Sequence, residues 1–267
     1  MSAIKAAAAA AFGTAILGGG GYLIWDSFTH SDIKYLNTDG YGDNTFGKKH
    51  AIYLIDPYHH RNKSVWEKSF DRWDIAQRKT PPSPTLSTEF GVGKFEKGYV
   101  SKREGNSKVL NLACEDAFKV EDSSLTSQRR TNTWIYCSVF GVEPKLVSSE
   151  TGQDSVYKDK HGGKTDFKGK LVEVKEGNNY INAEFWKRRD EEFFDSIKLE
   201  KASGEKSSDG SIFRILYDKK NQQRGDSDTV KHTCEKAYNK AITGGDASIK
   251  FTDEDIKRFC YLVPEGN

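Results

Sequence analysis

Apolar positions in this chain come in short runs separated by polar stretches, with one longer run at the start. Two runs repeat with helical spacing. Trp66, Phe70 and Trp73 fall on one face behind Ser64 and Glu67, which together can form a capping box. Trp186, Arg189, Phe193 and Ile197 follow Asn182, a possible cap, in a similar stripe. Both stripes read as core-facing helix. Further helical faces are Leu110, Cys114, Ala117 and Phe118, and then Val230, Cys234, Ala237 and Tyr238. A last helix is expected after Thr252, with acidic residues 253–255 at its positive end. Ile256, Phe259, Cys260 and Val263 form its apolar face, and Pro264 stops it. Residues 51–55 and 171–174 are short and rich in β-branched side chains, so they read as strands. Residues 94–102 and 211–218 also read as strands; Ile212, Arg214 and Leu216 alternate there with Phe213, Ile215 and Tyr217. Residues 131–141 fit either helix or strand, with Gly141 a possible C-cap.

The same small pattern is written twice. "LACEDAF" begins at Leu112 and "HTCEKAY" at His232, so an offset of 120 residues carries Cys114, Glu115, Ala117 and Phe118 onto Cys234, Glu235, Ala237 and Tyr238. That offset also carries Trp66 onto Trp186, and Cys137 meets Cys260 after a three-residue insertion. The spacing from tryptophan to the first cysteine is 48 residues in both copies. A tandem repeat follows, with unit 1 at 46–147 and unit 2 at 167–267. Residues 148–166 read as a linker and residues 26–45 as a polar stalk. Each unit sets two cysteines on inward faces of neighbouring elements. The repeat therefore selects Cys114–Cys137 and Cys234–Cys260 from three possible pairings. Buried free thiols remain the alternative. A four-thiolate zinc site is disfavoured, because no two cysteines form a close ligand pair.

The long apolar run is at residues 6–25, which carry no charge. As a helix it would extend about 30 Å, enough to cross a hydrocarbon core. Lys5 precedes it and no Lys or Arg follows until Lys34, which places the body on the outer side. The adopted reading is a retained anchor over residues 1–25, with a cleaved signal peptide or an Ala/Gly-rich tail as alternatives. The expected fold class is thus α+β: an N-terminal transmembrane helix, then an ectodomain of two similar disulfide-pinned units. Disulfides demand an oxidising location, which agrees with that topology.

Composition alters this picture little. The 41 basic residues nearly balance the 39 acidic ones. So even a charge balance lacks the electrostatic footprint of a nucleic-acid binder.

Candidate chemistry is sparse. "HGGKT" at His161 resembles part of a phosphate loop, but Lys158 stands where the first glycine is needed. "DPYHHR" at Asp56 holds Asp56, His59 and His60, which read better as a solvated turn than as a metal site, since unit 2 has no histidine there. "RRDEEFFD" at Arg188 reads as a charged helix face. No catalytic residue, metal site or cofactor is expected.

The Ala/Gly-rich start running into "GGGGYLI", with "CEDAF", "WIYC", "CEKAY" and "RFC" in the body, resembles the large paralogous sets of uncharacterised membrane and surface proteins of haemotropic mycoplasmas. The resemblance implies a variable antigen or host-contact protein and supplies no catalytic residues. The expected partners are the lipid bilayer, through the N-terminal segment, and a host-cell surface ligand. The rival expectation is an exported hydrolase or nuclease.

Overall fold

The computed structural model describes residues 33–103, 105, 107–147, 156–175, 181–194 and 202–265. The chain divides into two compact units, the first ending at Gly141 and the second beginning at Val142.

Unit 1 carries four α-helices among its described residues: α1 (Phe46–His50), α2 (Lys63–Gln77), α3 (Leu110–Phe118) and α4 (Ser127–Cys137). The α2 stripe is core: Val65, Trp66, Ser69, Trp73 and Ala76 are buried. Its indoles also satisfy carbonyls, Trp66 Nε1 donating to Asp56 O at 3.1 Å and Trp73 Nε1 to Phe90 O at 2.7 Å. Ser64 does not cap it. The helix starts two residues earlier, at Lys63, and Glu67 accepts from Gly98 N at 3.2 Å instead. Residues 127–137, which include most of the ambiguous stretch, are helical, with Thr126 Oγ1 accepting from Arg129 N. Phe46, Tyr53, Trp66, Trp73, Phe90, Phe118, Trp134 and Tyr136 fill the interior.

Unit 2 carries α5 (Ala183–Phe194), α6 (Ile212–Tyr217), α7 (Val230–Asn239) and α8 (Asp253–Phe259). Around Phe193, the rings of Phe259 and Tyr217 pack at centroid distances of 5.1 and 5.8 Å. Thr252 and Asp255 form a reciprocal capping box at α8.

The expected α+β class is overturned. The described residues form helices and isolated bridges, with no strand and no sheet. Residues 211–218 are the clearest case. Ser211 Oγ accepts from Arg214 N, and Phe213, Leu216 and Tyr217 are buried at helical spacing. Five of the six positions from Ile212 to Tyr217 are apolar, so the alternation carried no information about period. No helix among the described residues is long and apolar enough to cross a membrane. The transmembrane helix expected within residues 1–25 lies outside the described residues.

What stands in place of strands is a three-segment backbone pairing that recurs in each unit. In unit 1, Leu36 N donates to Leu54 O, Asp56 N to Lys34 O, Ile55 N to Cys137 O and Val139 N to Tyr53 O, all at 2.9–3.1 Å. In unit 2, Val147 N donates to Leu171 O, Glu173 N to Lys145 O, Val172 N to Cys260 O and Leu262 N to Lys170 O, at 2.9–3.0 Å. Each segment pairs through one bridge per neighbour, too short to propagate a ladder. Residues 33–36 are therefore part of unit 1 rather than stalk, with Ile33 and Leu36 buried. Tyr157, read as linker, is likewise buried in unit 2.

An asparagine closes each pairing. Asn62 accepts from Lys34 N and donates to Lys34 O and Asp56 O. Asn182 accepts from Lys145 N and donates to Lys145 O and Glu173 O. Asn182 was expected to cap α5; its carboxamide is spent on this clasp instead. Trp186 Nε1 reaches Glu173 O at 3.1 Å, the same bond that Trp66 makes to Asp56.

Candidate functional site

The repeated Cys-Glu-x-Ala-aromatic motif occupies α3 and α7, and each of its positions has a physical task. The cysteines are joined as Cys114–Cys137 and Cys234–Cys260, with Cα separations of 5.6 and 5.8 Å. All four sulfurs belong to fully buried residues. Each bond ties the motif helix to the segment whose carbonyl enters the backbone pairing. The alanines are buried against the interior. The aromatic residues close over a glycine. A Cβ on Gly47 would lie 2.8 Å from Phe118 O, and one on Gly162 would lie 2.9 Å from Tyr238 Cβ. Tyr238 also donates from its hydroxyl to Val172 O at 3.1 Å.

A tyrosine also crowds that glycine in both units. The Gly47 Cβ position is 3.0 Å from the Tyr41 ring, and that of Gly162 is 2.9 Å from the Tyr157 ring. Burial, followed by the charges of Glu115, Asp56 and Tyr58, pushes the Tyr41 hydroxyl well above its ordinary range. Burial, followed by Glu173 and Glu235, does the same to Tyr157. In each unit the buried tyrosine thus feels the charge of the clasped segment's acid (Asp56 or Glu173) and of the motif glutamate (Glu115 or Glu235).

In unit 1 the motif glutamate is partnered from within the unit. Glu115 Oε2 accepts from Tyr58 Oη at 2.5 Å and from Arg103 Nη2 and Nε at 2.5 and 3.0 Å. Lys119 Nζ reaches Oε1 at 2.6 Å. Burial works against the charge of Glu115, but the bonds from Lys119, Tyr58 and Arg103 outweigh it and hold the carboxyl below its usual range. Arg103 also reaches Asp116 Oδ1 at 2.7 Å and Leu112 O at 3.2 Å.

Among the described residues of unit 2, these donors have no counterpart. Glu173 Oε1 accepts from the backbone N–H groups of Val174 and Lys175, each at 2.9 Å. Among the described residues, nothing forms a hydrogen bond or ion pair with the Glu235 carboxylate. Where unit 1 has Lys119, unit 2 has Asn239, which donates to the backbone oxygen of Glu235.

The other candidates prove structural. Asp56 Oδ1 accepts from Tyr58 N and His59 N at 2.9 and 2.8 Å, so it shapes a turn. His59 and His60 stack at 4.8 Å, and no group of residues suited to a metal ion occurs among the described residues. His161–Gly163 is a single 3-10 turn. The run at Arg188 lies on α5, as the reading of a charged helix face required, but part of its charge is buried. Arg188 and Arg189 are buried, Arg188 pairs with Glu192, and Arg189 Nη2 donates to the carbonyls of Tyr261 and Leu262. Asp190 in that run accepts from Val230 N at 2.7 Å, yet burial pushes its carboxyl up to about 6.

Sequence reasoning overlooked the clasp, although Asn62 and Asn182 precede Trp66 and Trp186 at the same four-residue distance. It also overlooked His50, whose ring is held between Phe46 and Trp134, with centroids 4.6 and 5.0 Å away. Its Nε2 is 3.7 Å from Asp122 Oδ1, an atom that Arg130 Nη1 approaches to 2.6 Å. Burial lowers the His50 pKa, with Asp122 opposing.

No protein-family model, curated protein or solved structure matches this chain.

Proposed function

We propose that this chain is a surface-exposed protein held at the cell membrane by its N-terminal apolar segment, and that its two units make contact with partners outside the cell. It acts as an antigen, adhesin or host-contact protein of the kind found in the paralogous surface sets of haemotropic mycoplasmas. The observation that carries this reading is one closed, fully buried disulfide in each unit. Such bonds form and persist in oxidising compartments. The charge asymmetry around residues 6–25 supports the same orientation. Contacts fall on the loops between helices, which tolerate change while the clasp and disulfide hold the frame.

Trypsin applied to intact cells tests this reading, combined with alkylation of unfolded protein before and after reduction. The expected result is digestion of the body on whole cells and thiols that alkylate only after reduction. Four free thiols on a body protected until lysis would overturn it.

A further inference from the structure

The loop between α6 and α7 carries a short motif that neither the repeat nor the packing accounts for. Residues 224–227 read Arg-Gly-Asp-Ser. The 120-residue offset sets Glu104, Gly105, Asn106 and Ser107 against them, so unit 1 keeps the glycine and the serine but has neither the arginine nor the aspartate. All four residues of the motif are exposed. Asp228 N donates to Gly225 O at 2.9 Å, and Gly225 N donates to Asp228 Oδ2 at 3.0 Å. Lys219 Nζ holds the other oxygen of Asp228 at 2.7 Å. Asp226 and Ser227 are therefore the two central residues of a turn pinned at its base.

The motif side chains are open to an outside partner. Among the described residues, the Asp226 carboxylate has no hydrogen bond or ion pair, whereas Asp228, two residues on, has both. The Arg224 guanidinium lies over Phe194, 3.8 Å from the ring centroid, and its charge is felt by Asp190. Its N–H groups form no hydrogen bond among the described residues. The turn does not demand glycine at 225. The backbone there is not left-handed, and a Cβ would meet only Asp228 Oδ2, at 3.7 Å. A glycine that the fold does not need suits a backbone that another surface approaches closely.

A partner of one charge cannot hold both Arg224 and Asp226. It needs an acidic pocket for the guanidinium, which forks onto carboxylates, and a cation for the carboxylate. A bound divalent ion is such a cation, since hard cations take carboxylate oxygens. We propose that residues 224–227 are a docking loop for a cell-surface receptor whose site joins a divalent cation to an acidic pocket. Asp226 supplies an oxygen ligand to the receptor's cation, Arg224 enters the pocket, and Gly225 lets the receptor come against the backbone between them. The inference rests on the reading of the chain as an outward-facing contact protein for where such a receptor is met.

The test is binding of the purified full-length protein, held on a sensor surface, to the soluble ectodomain of an integrin chosen for its affinity for the peptide Gly-Arg-Gly-Asp-Ser. The expected result is saturable binding in magnesium that is lost in EDTA. That peptide should displace the ectodomain, and Gly-Arg-Gly-Glu-Ser should not. Asp226→Glu keeps the charge and lengthens the side chain by one methylene, and Gly225→Ala is a change the turn accommodates. Each should raise Kd at least about tenfold, with the thermal midpoint unchanged. No binding by the parent, binding that persists in EDTA, or equal affinity for the parent and Asp226→Glu overturns the proposal. Purified components make these results independent of topology. A body protected from trypsin on whole cells overturns the surface reading and leaves them standing.

Discussion

The Asn62 carboxamide pairs with both backbone polar groups of Lys34, accepting from its N–H at 2.9 Å and donating to its carbonyl at 2.7 Å. A third bond, to Asp56 O at 3.0 Å, locks the two segments to the start of α2. Asn62 is fully buried, so its loss leaves several groups unpaired where water does not reach easily. Asn62→Ala is expected to destabilise unit 1 by about 2–4 kcal/mol. Asn62→Asp should be nearly as costly, because a carboxylate cannot donate to either carbonyl. Asn182→Ala should act likewise in unit 2. Urea denaturation followed by tryptophan fluorescence measures all three.

Gly47 and Gly162 leave no room for a side chain. Gly47→Ala sets a methyl group 2.8 Å from Phe118 O, an atom of the backbone that cannot swing aside. Overpacking of this kind costs about 1–3 kcal/mol. Gly162→Ala meets Tyr157 and Tyr238 at 2.9 Å and should cost a similar amount. Lower thermal midpoints, with both disulfides still closed, are the expected outcome.

Buried His50 in unit 1 and Asp190 in unit 2 should contribute to the acid response with opposite signs. The folded pKa of His50 lies below the ordinary 6.5, with burial the cause. Above pH 6.5 the ring is neutral in both states. As pH falls below 6.5, the unfolded chain takes up a proton that folded unit 1 refuses, and unit 1 loses stability. His50→Leu should flatten that slope. Asp190 behaves in reverse. Its folded carboxyl keeps a proton up to about 6, against an ordinary 3.8. The Asp190 contribution to unit 2 is therefore lost as pH rises from 3.8 to about 6, and its full cost is carried at neutral pH. Asp190→Asn, which keeps an acceptor for Val230 N, should stabilise unit 2 at pH 7 and have little effect near pH 3.5. Hydrogen exchange resolved by unit, measured across this range, checks both signs.

Each disulfide stabilises its own unit. The bonds close loops with sequence separations of 23 and 26 residues, worth about 3 kcal/mol each in the chain-entropy model. The double variant Cys114→Ala with Cys137→Ala should weaken unit 1, and the corresponding pair at 234 and 260 should weaken unit 2. Because all four residues are fully buried, mild reductant should leave the parent bonds intact until denaturant is added. Peptide mapping without reduction reads the pairing directly.

The repeat was legible at its most distinctive side chains, Trp66 with Trp186 and the four cysteines, which coincide at nearly one offset. The clasp escaped notice for a local reason: Ser64 and Glu67 offered a capping box two residues beyond Asn62, and that familiar pattern claimed the helix start. Short β-branched runs at 51–55 and 171–174 do adopt backbone pairing at Leu54, Ile55, Leu171 and Val172, but only one bridge deep. Pattern alone cannot distinguish one bridge from a ladder. Arg188 and Arg189 misled through charge, since a guanidinium that finds carbonyls can be buried as readily as it is solvated. Nothing in the sequence pattern showed that Glu115 and Glu235, identical in motif, would have such different surroundings. That difference depends on Arg103, which is close in space and distant in the pattern.

The doubled clasp also bears on how the chain reaches its native state. Residues 34–36 and 145–147 plug into sockets that ask for the same backbone bonds, so a nascent chain holds two plugs and two receptors of one type. Discrimination falls to side chains, with Tyr35 and Leu36 in one plug and Leu146 and Val147 in the other. A chain of this design is prone to swapping its own halves, or those of a neighbouring copy, whenever both sockets stand open together. Completing the first unit before the second leaves the ribosome is the order of synthesis that avoids the exchange.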